Sequence, residues 1–208
     1  MSNTTVVIKT IGRKTLKAAI ASAKREGFKT IVVSDGVNTS APGANKFVKL
    51  GKRWGYYGGM CANVGAALAE TEFITFLDDD DVFAPGAGDI IRQKLKEKPE
   101  VDVWIGGVRF RMEVDLFNTQ TGEKLLTSRD LSMNSMLGVV PGNVSMPTYR
   151  TRIFSQLPFL DNVPPANADL ADFFHVNACA IAGLTIDWFG SVIYWVRPFS
   201  GNANGMGQ

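Results

Sequence analysis

The chain has 208 residues, of which 45% are hydrophobic and 20% are charged, and its formal net charge is +2. This length fits one domain, and the composition is typical of a globular protein that buries a sizeable core, which excludes a fibrous or wholly disordered chain. The net charge is too small to indicate, by itself, a nucleic-acid or membrane partner.

The cysteine content and the hydropathy further limit the classes of protein to which the chain can belong. Cys61 and Cys179 are too few and too far apart to form a disulfide framework, and their apolar surroundings favour buried free thiols. No apolar run approaches the roughly 20 residues of a membrane-spanning helix. The N-terminus also lacks the apolar core of a signal peptide, so we expect a cytoplasmic protein.

The first forty residues predict a β-α-β unit. Residues 4–10 favour a strand, residues 13–26 a helix with one apolar face, and residues 29–36 a second strand. This order implies two parallel strands joined by a right-handed crossover. The carboxyl ends of the strands, near Gly12 and Asp35, should therefore lie on the same edge of one sheet.

A basic segment follows a loop rich in Ser, Pro and Gly at 38–45. Its basic residues are Lys46, Lys49, Lys52 and Arg53. A solvated amphipathic turn is the ordinary interpretation of such a run, and a contact with phosphate or another polyanion is the functional alternative. A helix is predicted over 60–70.

The most informative segment joins a buried strand to four consecutive carboxylates. Residues 73–77 are apolar and partly aromatic, which predicts a third parallel strand, and four aspartates follow directly at 78–81. Four like charges at the end of a buried strand repel one another unless a cation neutralises them. Mg²⁺ and Mn²⁺ take such oxygen ligands, often together with substrate phosphates. A solvated acidic turn is the alternative, and the apolar strand favours the metal site.

The remaining segments predict a mixture of helices, strands and loops. The predicted elements are a helix at 87–98, a strand at 101–112, a Gly-bearing hairpin turn at 118–124, a short helix at 151–157, a helix at 169–182 and a strand at 186–196. No element is predicted for 133–146, and the tail at 201–208 is too rich in Gly and Asn to pack.

Four segments in this order resemble the family 2 glycosyltransferases of the GT-A fold. Residues 10–13, 32–36, 61–65 and 76–81 correspond to the family's Thr-x-Asn-Arg, Asp-Gly, Ala-Arg-Asn-x-Gly and Phe-Leu-Asp-x-Asp-Asp patterns. The resemblance covers residues 5–90 well and the C-terminal half only loosely.

The resemblance implies an α/β, Rossmann-like fold of nucleotide-diphospho-sugar transferases, with a mostly parallel central sheet flanked by helices. It also implies a single domain over 1–208. In that domain, residues 1–100 would bind the nucleotide sugar and the metal, and residues 101–208 would bind the acceptor and carry a flexible C-terminal tail.

The resemblance also implies roles for individual residues at the strand ends. The implied nucleotide-binding residues are Thr10, Gly12, Arg13, Asp35, Asp78, Asp79 and Arg197. Asp35 would accept a hydrogen bond from the base, although a turn residue before Gly36 is the ordinary explanation. In the Asp-x-Asp motif, Asp80 is the first choice as ligand of Mn²⁺ or Mg²⁺, together with Asp78. Asp81 is expected to fix the following turn.

A general base is implied near the start of the helix at 169–182. Asp169 and Asp172 are three residues apart, so they would share one helix face, and Asp169 is preferred as the base. Alternatively, Asp169 is an N-cap and Asp172 a first-turn acid that the helix dipole stabilises. His175, the only histidine, is expected to be an ordinary core or surface residue.

The chain departs from the family pattern at several positions. Lys9 and Ile11 stand where the family commonly has Pro and Tyr, so the aromatic residue that stacks on the base is missing. Ala62 replaces the Arg that usually precedes Asn63, which removes one phosphate contact. Lys52, Arg53 or Arg197 could replace that contact.

The predicted function is metal-dependent, inverting transfer of a sugar from a nucleoside-diphosphate donor, most simply a UDP-sugar, to an acceptor hydroxyl. A nucleotidyltransferase acting on a nucleoside triphosphate is an alternative, but residues 12–14 are a poor version of its phosphate loop. A non-catalytic module that binds sugar nucleotides is another. The acceptor would be a glycan or, because the basic segment adjoins Tyr56 and Tyr57, DNA with hydroxylated bases.

Overall fold

The computed structural model describes residues 3–55, 58–111, 123–126, 147–160 and 171–196. The predictions for 133–146, Asp169, Arg197 and the C-terminal tail lie outside them.

The first half of the chain forms the predicted β-α-β unit. Strand β1 (Thr4–Thr10) is followed by helix α1 (Leu16–Arg25) and by strand β2 (Lys29–Ser34), which pairs with β1 in parallel. Helix α1 buries Leu16, Ala19, Ile20 and Ala23, which recur every three or four residues and so form one face of the helix. The two strands therefore end on the same edge of the sheet, as the sequence predicts.

Two further parallel strands flank this unit. Strand β3 (Lys46–Lys49) pairs with β2 at the border of the sheet, where only a turn was expected. Helix α2 (Gly59–Ala67) leads into β4 (Phe73–Asp78), which pairs with β1 on its other side. The order β3-β2-β1-β4 brings four carboxyl ends to one edge.

The second half adds shorter strands with mixed directions. Its elements are β5 (Val82–Phe83), α3 (Ala87–Glu97), β6 (Val103–Arg111), β7 (Glu123–Leu126), β8 (Thr148–Arg150), a 3₁₀ helix (Thr151–Ser155), α4 (Ala171–Ile181) and β9 (Ile186–Val196). Strand β8 is antiparallel to both β4 and β6, and β6 runs parallel to β9. Strand β7 pairs antiparallel with β6, as expected for a hairpin.

Within the described residues, these strands form one nine-stranded sheet. Parallel pairing covers most of its paired length, which confirms the predicted α/β fold with a mostly parallel sheet. Helix α2 lies directly on the sheet, because a Cβ atom at Gly65 would come within 2.3 Å of Val7 Cγ1. A larger residue at position 65 would push the helix off β1.

An aromatic cluster fills the core beneath the end of β4. Its members are Phe76, Tyr149, Phe154, Phe159 and His175. The His175 ring stacks on Phe159 with centroids 4.2 Å apart, and His175 Nε2 lies 2.7 Å from the Leu157 carbonyl oxygen. Because a carbonyl only accepts, Nε2 carries the proton. Burial lowers the pKa of His175, so the ring is neutral and serves as part of the core.

Candidate active site

Three carboxylates converge where β4 ends. Asp78, Asp80 and Asp81 each offer an oxygen, and these oxygens lie within 4.8 Å of one another. We call these three residues the acid edge. A turn brings them together, because the Asp81 N–H donates to the Asp78 carbonyl oxygen at 3.2 Å. The backbone of Asp81 thus closes the turn at 78–81, and its carboxylate belongs to the acid edge, which was not predicted. The expected role of Asp81 in the following turn stays a prediction.

The acid edge has the donor chemistry of a site for a hard divalent cation. Burial raises the pKa of Asp80, the negative charge of Asp78 raises it further, and the Arg13 guanidinium opposes both effects. The surroundings of Asp80 therefore disfavour its ionised form. Three closely spaced carboxylate oxygens fit Mg²⁺ or Mn²⁺, which prefer oxygen ligands.

The remaining aspartate of the run, Asp79, is not part of the acid edge. Asp79 is 1% exposed. One of its oxygens accepts hydrogen bonds from Thr10 Oγ1 at 2.6 Å and from the N–H groups of Ile11 and Arg13 at 3.1 and 3.2 Å. The other oxygen pairs with Arg13 Nη1 at 2.6 Å. Asp79 thus shapes the loop after β1, and its contact with a nucleotide stays a prediction.

The loop after β1 is tightly constrained. The Thr10 hydroxyl donates to Asp79 and accepts from the Gly12 N–H at 2.9 Å. Gly12 has φ of 84°, and a Cβ atom there would approach Val37 Cγ1 to 3.1 Å. Arg13 lies beside the acid edge, 3.6 Å from Asp80, with its side chain 44% exposed. Thr10, Gly12 and Arg13 are therefore brought together with the acid edge.

Asp35 holds a second loop against the neighbouring strand end. Asp35 is buried, and its two oxygens accept hydrogen bonds from the N–H groups of Trp54 and Gly55 at 2.7 and 2.9 Å. The fit is close, since a Cβ atom at Gly36 would lie 2.3 Å from the carbonyl carbon of Lys52. The predicted contact of Asp35 with a base stays a prediction, and the anchoring of this loop was not anticipated.

The basic segment forms an exposed surface beside these loops. Lys46, Phe47 and Lys49 are exposed on β3, and Lys52 Nζ lies 4.2 Å from the ring centroid of Trp54. Residues 36–69 contain no Asp or Glu. We call this region, from Lys46 to Trp54, the basic surface.

Sequence analysis missed one residue of the site, Lys9. Its Nζ lies 3.0 Å from Asp78 Oδ1, and the Lys9 side chain is 10% exposed. Burial acts to lower the pKa of Lys9, but the charges of Asp78 and Asp172 raise it above its usual value. The pairing could have been anticipated, because parallel pairing of β1 with β4 sets Lys9 opposite Asp78.

Helix α4 brings Asp172 towards the same region. Asp172 lies in the first turn of α4. Burial raises the pKa of the Tyr149 phenol, and the charge of Asp172 raises it further. The charge of Asp172 also raises the pKa of Lys9, so Asp172 lies near enough to act on both Tyr149 and Lys9.

This arrangement is that of a GT-A glycosyltransferase fold, and solved structures of that class resemble it. Residues 1–349 of S. aureus TarS match with a TM-score of 0.63 and 18% identity, covering 98% of this chain and 63% of that one. The same protein in complex with UDP-GlcNAc matches with a TM-score of 0.60 and 15% identity, covering 99% of this chain and 61% of that one. The mannosyltransferase PcManGT from Pyrobaculum calidifontis, in complex with GDP-Man and Mn²⁺, matches with a TM-score of 0.61 and 14% identity. The match covers 88% of this chain and 53% of that one. At such identities, the likeness shows the fold.

The family model Glycosyl transferase family 2 matches residues 5–157, and the chain belongs to that family. The predictions of the family and of the GT-A fold are therefore confirmed. The chain spans about three-fifths of the length of the TarS structures. No curated protein sequence matches it significantly. None of the helices in the described part of the chain is both long and apolar enough to cross a membrane.

Proposed function

We propose that this protein is a metal-dependent, inverting glycosyltransferase that moves a sugar from a nucleoside-diphosphate donor to an acceptor hydroxyl. The observation that carries the proposal is the convergence of the acid edge with the loop after β1. Family membership supports glycosyl transfer. The complexes of similar structures with UDP, with UDP-GlcNAc and with GDP-Man support a nucleotide-sugar donor, and we take a UDP-sugar first.

The acid edge would hold the divalent cation. Asp80 and Asp78 are the proposed ligands, and Asp81 joins them because its carboxylate lies in the same group. A bound Mn²⁺ or Mg²⁺ would offset the charge that develops on the departing nucleoside diphosphate. Arg13 is partly exposed beside the acid edge, so its guanidinium can donate to a phosphate oxygen.

The remaining donor contacts follow the family resemblance. Thr10 and Gly12 would border the ribose through the loop that Asp79 holds in place. Asp35 would lie near the base, because the β1 and β2 ends are adjacent and the Asp35 N–H donates to the Thr10 carbonyl oxygen at 2.9 Å. Arg197, which follows β9 in the sequence, is proposed as a further phosphate contact.

Inversion by direct displacement requires a base that accepts the proton of the attacking hydroxyl. Asp169 and Asp172 are the proposed candidates. The proximity of Asp172 to Lys9 supports a place for the start of α4 near the acid edge. Comparing the transfer rates of Asp169→Asn and Asp172→Asn at saturating donor would identify the base, since its loss should lower kcat much more than KM.

Calorimetric titration with UDP, with and without Mn²⁺, tests the donor site. We expect binding that requires Mn²⁺ and that is lost in Asp80→Ala. Asp89→Ala is the matched control, because Asp89 is an exposed aspartate on α3 that forms an ion pair with Arg92 of the same helix. Absence of UDP binding under both conditions would reject the UDP assignment, and GDP, CDP and dTDP would follow. Binding of triphosphates alone would favour a nucleotidyltransferase.

For the acceptor, we propose a polyanion such as DNA with hydroxylated bases. The basic surface supports this, because it combines exposed lysines with an exposed tryptophan and has no acidic residue in its stretch of sequence. The test is an electrophoretic mobility shift with single-stranded and duplex DNA at increasing salt. A shift that weakens with salt and is lost in Lys49→Gln/Lys52→Gln, but not in Lys96→Gln on α3, would support a polyanion. An unshifted probe at low salt would leave a neutral glycan as the acceptor.

A further inference from the structure

Lys9 reaches the acid edge from inside the protein. Parallel pairing of β1 with β4 sets Lys9 beside Asp78, and the Lys9 ammonium lies 3.0 Å from Asp78 Oδ1. The Lys9 side chain is 10% exposed, whereas that of Asp78 is 46% exposed. The lysine therefore approaches from the buried side and leaves the solvent side of Asp78 open.

The start of α2 confines the stem of this lysine. A Cβ atom at Gly58 would lie 3.0 Å from Lys9 Cδ and 3.3 Å from Lys9 Cβ. The methylene groups of Lys9 thus pack against the turn that precedes α2. A buried ammonium is stable only beside counter-charges, and the carboxylate of Asp78 at 3.0 Å supplies one, while the charge of Asp172 also acts on Lys9.

Arg13, the other cation paired with this aspartate run in the described residues, acts differently. Its guanidinium lies 2.6 Å from Asp79, which is not part of the acid edge, and 3.6 Å from Asp80. Its side chain is 44% exposed, so it can move when a ligand arrives. Lys9 is instead held beside Asp78, a residue that belongs to the acid edge.

We propose that Lys9 is a built-in counter-charge that occupies Asp78 and lowers the affinity of the acid edge for a divalent cation. The inference rests on the proposed metal site. Asp80 and Asp81 then supply most of the binding, and Asp78 contributes less than its place in the Asp-x-Asp motif implies. A weakened site releases the cation more readily, so Lys9 is a positioning residue that tunes metal affinity.

The test measures Mn²⁺ binding in the absence of nucleotide, by electron paramagnetic resonance of the free ion and by calorimetry. We expect Lys9→Met to bind Mn²⁺ about tenfold more tightly than the unchanged protein, since a positive charge is removed within a few ångströms of the ion. Lys9→Arg keeps the charge and should bind like the unchanged protein. Lys17→Met, an exposed lysine on α1, is the matched control and should change nothing. Equal or weaker binding by Lys9→Met would overturn the inference.

Two further outcomes are decisive. If the unchanged protein binds no Mn²⁺, a gain of binding in Lys9→Met supports the inference, and no gain overturns it. If circular dichroism shows that Lys9→Met is unfolded, the comparison moves to Asp78→Asn and Asp80→Asn. Asp78→Asn should then cost several-fold less Mn²⁺ affinity than Asp80→Asn, and equal losses would overturn the inference.

The experiment is separable from the test of the donor site. That test measures UDP binding, whereas this one contains only the ion. Tighter Mn²⁺ binding in Lys9→Met, combined with no binding of any nucleotide, would reject the proposed transferase and keep the inference about Lys9.

Discussion

Strand β4 passes through two contrasting environments within two residues. Phe76 belongs to the aromatic cluster, in which a neutral His175 stacks on the rings of Phe154 and Phe159. Asp78 lies on the same face of the strand and belongs to the acid edge, where charges meet counter-charges. One strand thus contributes core packing at Phe76 and binding chemistry at its carboxyl end.

The aspartate run repeats this contrast between neighbours. Asp79 is buried and accepts hydrogen bonds from the loop after β1, whereas the Asp80 side chain is 24% exposed and belongs to the acid edge. Substitutions at these two positions should therefore separate effects on folding from effects on binding.

The largest effect is expected from Asp79→Ala. Loss of this carboxylate leaves buried partners at Thr10 and Ile11 unsatisfied and removes the ion pair with Arg13. We expect the free energy of unfolding to fall by about 3–5 kcal/mol, and UDP binding to weaken because the loop loses its shape. Urea denaturation measures the first quantity. Asp80→Ala is the comparison and should change the free energy of unfolding by less than about 1 kcal/mol. Equal losses of stability in the two variants would contradict the assignment of Asp79 to folding and of Asp80 to binding.

Phe76→Ala should affect stability alone. Phe76 is fully buried and contacts the rings of Tyr149, Phe154 and Phe159. The cavity should lower the free energy of unfolding by about 3–5 kcal/mol. Below the unfolding transition, the folded protein should keep its Mn²⁺ affinity, which calorimetry measures. A parallel loss of that affinity would show that the two environments of β4 are coupled.

Asp35→Asn is expected to have a smaller effect. The amide keeps one acceptor for the N–H groups of Trp54 and Gly55, and its NH₂ group faces the other donor. We expect a loss of about 1–3 kcal/mol in the free energy of unfolding. Asp89→Asn on the exposed face of α3 should cost less than about 0.5 kcal/mol. A neutral result for Asp35→Asn would show that Asp35 does not anchor this loop.

The smallest effect is a dependence of stability on pH that comes from His175. Burial lowers the pKa of His175 in the folded protein, so below about pH 6.5 the unfolded chain binds more protons than the folded one. The contribution of the buried, neutral His175 to the free energy of unfolding is therefore complete above about pH 6.5. It is lost as the pH falls towards the lower pKa of His175 in the folded protein. Urea denaturation of the unchanged protein and of His175→Gln at neutral pH and at about pH 5.5 measures it. The difference between the two proteins should shrink on acidification, and a constant difference would contradict a neutral buried ring.

Much of the fold follows from local sequence patterns, but its short strands do not. The β-α-β order predicts which strand ends meet, because parallel strands and right-handed crossovers leave few alternatives. Strands β5 and β8 contain two and three residues, so neither shows a period of its own. Strand β3 is mostly exposed at the border of the sheet, where burial imposes no alternation. Such strands form because they pair with neighbouring strands, which a local sequence pattern does not show.

The sequence likewise predicts only part of the candidate site. The aspartate run predicts a carboxylate cluster, but four identical residues in a turn do not reveal which one points inwards. Asp79 turns inwards because the loop after β1, some 66–69 residues earlier in the chain, supplies its donors. Lys9 was visible only as a departure from the family's Pro, and its role depends on the register between β1 and β4.

The bond from Thr10 to Asp79 also bears on the order in which the protein folds. The two residues are 69 positions apart, so the loop after β1 cannot take its final shape before β4 docks beside β1. Contacts between residues so distant in sequence are slow to form, because the intervening chain must first be closed into a loop. During synthesis, the first strand and helix would therefore emerge well before the end of the sheet that carries the site is complete. A ligand of the candidate site can therefore stabilise only those chains in which β1 and β4 have already paired.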